Sequence, residues 1–185
     1  METEIRQIIR QCKLGNIGSF ATLVTRYGGR VSGIIYHMIG YSSNTDDLAQ
    51  EVFIKAYRNL THFRETAKFS TWLYRITVNT VYDYLRKQKV RTTIPLDKTG
   101  PLPVPETITT GAQKAELKQL LNRELQKLPL KYRTVLILKE FEGFSYKEIA
   151  DVLHCRIGTV ESRLFRARNS LLDKIKKTNW WRDYQ

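Results

Sequence analysis

Two cysteines are too few to organise a chain of 185 residues, and Cys12 and Cys155 stand far apart with no CxxC motif. A disulfide framework and a zinc finger are therefore not indicated. No apolar run reaches the roughly 18–20 residues that a membrane span needs, and METEIRQIIRQCK has no hydrophobic core of a signal sequence. The three histidines, His37, His62 and His154, are scattered. No glycine-rich phosphate loop and no metal-spaced cluster accompanies them. Neither a catalytic group, a metal nor a cofactor is expected. Acidic residues are also scarce, 18 against 31 lysines and arginines, which leaves a formal charge of +13. Hydrophobic residues at 42% and aromatics at 11% supply a core, so wholesale disorder is excluded. What remains is a cytoplasmic protein drawn to polyanions.

Proline is sparse except in one place. Four of the five prolines, Pro95, Pro101, Pro103 and Pro105, lie in IPLDKTGPLPVPETITTG, and no aromatic residue falls between Tyr84 and Tyr132. Proline cannot donate a helical hydrogen bond, and a stretch without rings has little with which to build a core. Residues 91–112 thus read as a flexible linker between units at 1–90 and 113–178. Residues 1–90 hold 13 basic and 7 acidic side chains, and residues 113–185 hold 16 and 9. Two cationic units across a neutral spacer favour nucleic acid, since each phosphate neutralised releases counterions.

Apolar residues recur at three- and four-residue spacing in both units, and strand-like alternation is scarce. The spacing predicts helices near 3–14, 17–39, 45–60, 69–88, 113–127, 130–141, 145–153 and 157–176. The fold class is all-α, two small helical domains.

In the second unit, Ser145 with Glu148 three residues on forms a capping box, and Ile149, Ala150 and Leu153 stripe a short helix. HCRIG interrupts it, with Gly158 able to support a tight corner. Val160, Leu164, Ala167, Leu171 and Ile175 then form one core face, while Thr159, Ser162, Arg163 and Arg166 share another. This is a helix-turn-helix layout, with a second helix suited to the DNA major groove. An αα-hairpin with a charged outer face would show the same pattern.

In the first unit, FRETAKFSTWLYRITVNTVYDYLRKQK interleaves Phe63, Phe69, Trp72, Tyr74, Tyr82 and Tyr84 with Arg64, Lys68, Arg75, Arg86 and Lys87. Rings that stack on unpaired bases beside cations that hold the backbone suit single-stranded nucleic acid. Most of these rings are equally suited to a core. Arg75, Asn79, Tyr82 and Arg86 share a face too polar to bury, and Asn79 offers both a donor and an acceptor to a flipped base. TDDLAQEVFIKAYRNL begins with Thr45 or Asp46 as N-cap and buries Leu48, Val52, Phe53, Ala56 and Leu60. Asp47, Gln50, Glu51, Ile54 and Arg58 lie opposite. An exposed isoleucine among carboxylates suits a protein contact better than DNA.

DDLAQEVFIKAYRNL, FSTWLYRITVNTVYDYLRK and LPLKYRTVLILKEFEGFSYKEIADVLHCRIGTVESRLFRARNSL, in that order, resemble bacterial RNA polymerase sigma factors of the extracytoplasmic function group. The resemblance implies a region 2 bundle and a region 4 helix-turn-helix. It implies binding to core RNA polymerase through Asp47, Gln50, Glu51 and Ile54. A melted minus-ten strand would meet Phe63, Arg64, Phe69, Trp72, Arg75 and Asn79. A duplex minus-thirty-five element would meet Thr159, Ser162, Arg163, Phe165 and Arg166. It further implies an anti-sigma partner, often membrane-anchored, and a stress response. Arg156 stands where such proteins often carry proline, and Glu161 where they often carry lysine or arginine. Two other readings compete: a helix-turn-helix regulator that acts without replacing sigma, which needs a sensory pocket in 1–90, and a serine recombinase, which needs a catalytic serine on an α/β domain.

Overall fold

The structure is a computed structural model that describes residues 2–40, 42–64, 66–91, 112–178 and 181. Among the described residues every regular element is helical. The elements are α1 (Glu2–Lys13), α2 (Ile17–Ile39), α3 (Thr45–Asn59) with a 3-10 turn at Leu60–His62, and α4 (Phe69–Arg91). Then follow α5 (Ala112–Gln126), α6 (Leu130–Leu136) running into a π-helical turn at Ile137–Phe141, α7 (Tyr146–Leu153) and α8 (Ile157–Lys176). The expected linker lies almost wholly at 92–111, outside the described residues. None of the described helices is long and apolar enough to cross a membrane.

Local chemistry explains most boundaries. Asn16 caps α2, its Oδ1 accepting from the Ser19 amide at 3.2 Å. Gly40 ends α2 at φ 81°, with its amide bonded to the Tyr36 carbonyl at 2.8 Å. A Cβ there would meet the Gln126 side chain at 3.5 Å, an ordinary contact, so it is the left-handed backbone that favours glycine. The cap of α3 is Asn44, not Thr45 or Asp46, and its side chain makes no capping bond. Instead Asn44 Nδ2 donates to the Tyr84 hydroxyl at 2.9 Å, and Thr45 Oγ1 to the Ser42 carbonyl at 2.9 Å. Asp46 and Asp47 sit in the first turn, where carboxylates favour the helix dipole.

In the first unit α1 to α4 bury Ile9, Leu23, Ile34, Ile35, Val52, Leu73 and Val78 against one another. Cys12 is part of this core, and burial pushes its thiol up, so it is held as an inert apolar group. In the second unit Leu128, Val135, Ile137, Leu138, Ile149, Val160 and Leu164 do the same. The buried residues of both units form a single cluster. The two halves pack on each other, an arrangement that periodicity within each half does not reveal.

Arg133 ties the turn between α5 and α6 together and reaches across that junction. Its Nε donates to the Leu125 carbonyl at 3.1 Å, Nη1 to Gln126 Oε1 at 2.6 Å and Nη2 to the Leu128 carbonyl at 3.0 Å. It also donates to the Gln126 carbonyl and, across the junction, to the Met38 carbonyl at the end of α2. Burial draws its pKa below the ordinary arginine value. Saturating the fork with carbonyls is what makes a partly buried guanidinium tolerable. Arg133→Met keeps the stem but orphans these acceptors, so it should cost about 3 kcal/mol in chemical denaturation. A loss within about 0.5 kcal/mol would show that the fork is dispensable.

Candidate nucleic-acid interface

The helix-turn-helix forms as its sequence requires, with one difference. Ser145 Oγ accepts from the Glu148 amide at 3.2 Å, and Glu148 Oε2 accepts from the Ser145 amide at 2.9 Å, completing the capping box. Burial alone would raise the pKa of Glu148. Hydrogen bonds from Lys68 and from the Ser145 amide and hydroxyl outweigh that, and its pKa falls. The corner, however, is made by His154, which caps α7 in the left-handed conformation at φ 48°. Gly158 lies inside α8 and turns nothing. Histidine is among the non-glycine residues that tolerate this conformation best.

Helix α8 buries Val160, Leu164 and Ala167. Leu171 and Ile175, expected on the same core face, are only half-buried. Ser162 and Arg166 are exposed, Thr159 and Arg163 half-exposed, and Phe165 is 67% exposed. A large exposed ring beside arginines is costly in water and suits a ligand that can cover it. An ion pair holds this surface from the side. Arg168 grips Glu140 through Nη2 at 2.7 Å and Nε at 3.2 Å. Arg166 first, then the charges of Lys131 and Arg163, draw the Tyr132 phenol's pKa below its ordinary value, and Lys131 Nζ lies 5.1 Å from the Tyr132 ring centre.

On α3, Asp47, Gln50, Glu51 and Ile54 are all exposed, Ile54 by 50%. Lys55 pairs with Glu51 at 2.7 Å. Ile54 is not isolated. It borders an apolar groove with Ile17, Phe20, Phe53, Tyr57 and Arg58, in which Ile17 is 70% exposed. The sequence reading missed Ile17 and Tyr57, because it is the packing of α2 on α3 that brings the start of α2 to the end of α3.

The loop before α4 differs most from expectation. Phe63 and Phe69 are buried, at 4% and 2% exposure, and neither offers a face to a base. They form a ring cluster with Trp72, at 5.1 and 5.6 Å between centres, and Tyr27 closes on Phe69 at 5.3 Å. Lys13 braces the loop, donating to the Phe63 carbonyl at 2.7 Å. The two phenylalanines thus support the loop from beneath because the apolar side chains of α2 and α4 compete for them. Trp72 is half-buried, and Arg64 and Asn79 are exposed. Arg75 is half-buried, and its Nη2 donates to the Asp151 carbonyl of α7 at 2.7 Å. Tyr82, expected on an open polar face, shares a 3.0 Å hydrogen bond with Thr134 of α6. Glu65 lies outside the described residues. No group of acidic, histidine or cysteine side chains suited to a metal occurs among the described residues.

Two outward surfaces on one helical chain, one cationic on a helix-turn-helix and one carboxylate-ringed on a bundle, match a known architecture. Residues 23–91 match the family Sigma-70 region 2, and residues 118–171 match Sigma-70, region 4. The chain belongs to the sigma-70 family, in its ECF group. It is 34% identical to the ECF RNA polymerase sigma factor SigW of Bacillus subtilis, over 95% of this chain and 99% of that protein. It is 36% identical to the ECF RNA polymerase sigma-E factor of Escherichia coli, over 91% and 93%. Its fold is similar to that of CnrH in complex with the cytosolic domain of CnrY, with a TM-score of 0.70 at 27% identity over 92% of this chain and 96% of that one.

Proposed function

We propose that this chain is an ECF sigma factor that binds core RNA polymerase, in the cytoplasm, and directs it to promoters. In this reading residues 1–90 act as region 2 and residues 113–178 as region 4, with 91–112 as the tether. Asp47, Gln50, Glu51 and Ile54 dock on the polymerase. Arg64, Trp72, Arg75 and Asn79 meet the melted minus-ten strand, over the support that Phe63 and Phe69 provide. Thr159, Ser162, Arg163, Phe165 and Arg166 meet the duplex minus-thirty-five element. An anti-sigma protein is the proposed inhibitor, as CnrY is the protein found with CnrH.

One observation carries the reading: the exposed Ile54 on a face of α3 with Asp47, Gln50 and Glu51. Carboxylates repel DNA, and an apolar residue among them calls for a protein. A regulator working through the helix-turn-helix alone has no use for that face.

Physically, neither DNA-binding surface needs to be strong alone. Each gives salt-sensitive attraction. Docked on polymerase, the two surfaces are held at one spacing, and the second contact becomes intramolecular. Extruding a base costs a few kcal/mol, which stacking and capture at Asn79 offset. The chain itself breaks no covalent bond in this scheme. Added to sigma-free core polymerase, the purified chain should confer initiation at specific promoters. Specific operator binding without core, and no co-purification with core, would overturn the assignment.

A further inference from the structure

One carboxylate of α8 has no task in the fold. Glu161 is the fifth residue of that helix and is exposed. It stands past the first turn, so it does little for the helix dipole. The residues three and four away on either side are Ile157, Gly158, Leu164 and Phe165, so no cation is in register for an ion pair along the helix. Arg168 lies two turns on, and Glu140 already holds it at 2.7 and 3.2 Å. Lys139 is likewise engaged, its Nζ donating to the Phe144 carbonyl at 3.2 Å and lying 5.3 Å from the Tyr146 ring centre. Among the described residues Glu161 makes no hydrogen bond and no ion pair.

Its surroundings are those of a ligand surface. Glu161 borders a hollow with Tyr146 at the start of α7 and with Phe165 and Arg168 of α8. Phe165 follows it by one turn and is 67% exposed. Ser162, next in sequence, is exposed on the face proposed to enter the duplex. Phosphates repel a carboxylate, so in a groove it gains only where a base edge supplies a donor. In the major groove only cytosine and adenine show one, the N4 and N6 amino groups. Guanine shows N7 and O6 and thymine shows O4, acceptors that meet a carboxylate with no proton between. Adenine sets its N7 acceptor beside N6. Cytosine alone offers an amino donor with no acceptor next to it. The Phe165 ring beside that bond would exclude water and so strengthen it.

We propose that Glu161 is a specificity-determining residue of α8 and selects cytosine at one base pair of the duplex element, by accepting a hydrogen bond from the N4 amino group. This rests on the reading of α8 as the helix that enters the minus-thirty-five duplex. The carboxylate works in both directions. At cytosine it gains a charge-assisted bond, and at guanine or thymine it is left desolvated against an acceptor. The cations of α8 supply the attraction to phosphate. Glu161 adds none, and its contribution is the choice of base.

The test uses holoenzyme assembled from the full chain and sigma-free core polymerase, with a pool of promoter duplexes randomised across the minus-thirty-five element. Bound and unbound duplexes are sequenced. With the unchanged chain, one position should favour cytosine about tenfold over guanine and thymine. Glu161→Ala should erase that preference and leave those at the other positions. Glu161→Gln, whose amide both accepts and donates, should move the same position toward adenine. Arg163→Ala serves as the control for duplex binding. Base preferences that are the same in the unchanged chain and both Glu161 variants would overturn the proposal, as would a Glu161-dependent position that favours another base. If Arg163→Ala still weakens duplex binding in that case, the reading of α8 stands without it. No base preference in the unchanged chain, together with no effect of Arg163→Ala, would remove that reading and the proposal with it.

Discussion

Ile54→Asp should abolish assembly with core RNA polymerase while leaving the chain folded. Ile54 is half exposed, so the substitution removes little from the core of the bundle. Thermal unfolding should shift by no more than about 0.5 kcal/mol, the usual range for a surface position. At a docked interface the balance differs. Ile54 borders the groove lined by Ile17, Phe20, Phe53, Tyr57 and Arg58, and a carboxylate there would lose its water beside Glu51, with Arg58 the cation in the same groove. Truncating an interface anchor alone costs about 2 kcal/mol or more. Desolvating a carboxylate at that interface adds to the loss even with Arg58 in the groove. Competition against the wild-type chain for sigma-free core should therefore show a loss of at least about a hundredfold. Undiminished competition would place the polymerase contact elsewhere on the protein.

Asn79→Ala and Arg163→Ala should fail in opposite assays. Asn79 is exposed on α4 and supplies a donor and an acceptor at one point. Its loss should reduce open-complex formation about ten- to a hundredfold, the worth of one bidentate base contact, and leave binding of duplex minus-thirty-five DNA unchanged. Arg163 is half-exposed on α8 beside Thr159 and Ser162. Its loss should reduce duplex binding by a similar factor. It should leave melting intact on a template already opened at the minus-ten element. Permanganate reactivity of unpaired thymines reads the first step, and filter binding reads the second. Equal losses in both assays would mean that one of the two residues acts on folding instead.

Several features could be read from neighbouring residues because they depend on a few adjacent backbone groups. The box of Ser145 and Glu148 is one, since its two hydrogen bonds close within four residues. The outward set of Asp47, Gln50, Glu51 and Ile54 is another, since the helical period places it opposite Leu48, Val52 and Ala56. The corner of the helix-turn-helix was harder. Glycine is the usual residue for a left-handed backbone, and Gly158 lies close by, yet His154 takes the strained conformation because the helical stripes of α7 and α8 leave the corner there.

Periodicity sorts residues into faces but does not say what covers a face. Phe63 and Phe69 look like stacking rings because they stand among cations, and α2 and α4 take them into a core. Arg133 looks like one more surface cation in a basic chain, and it becomes the fastener for carbonyls of α2 and of the turn after α5. Arg75 and Tyr82 look open to solvent, and α7 and α6 meet them.

The amino-acid order by itself determined the helices, the capping box of Ser145 and Glu148, and the family, because turns of helix and that box span only a few residues. Only the tertiary structure decided which polar faces stay open, because that depends on two halves of the chain, joined through twenty intervening residues, coming into contact. An arginine carries the same fork in either setting. What lies within reach of it is a property of the folded molecule.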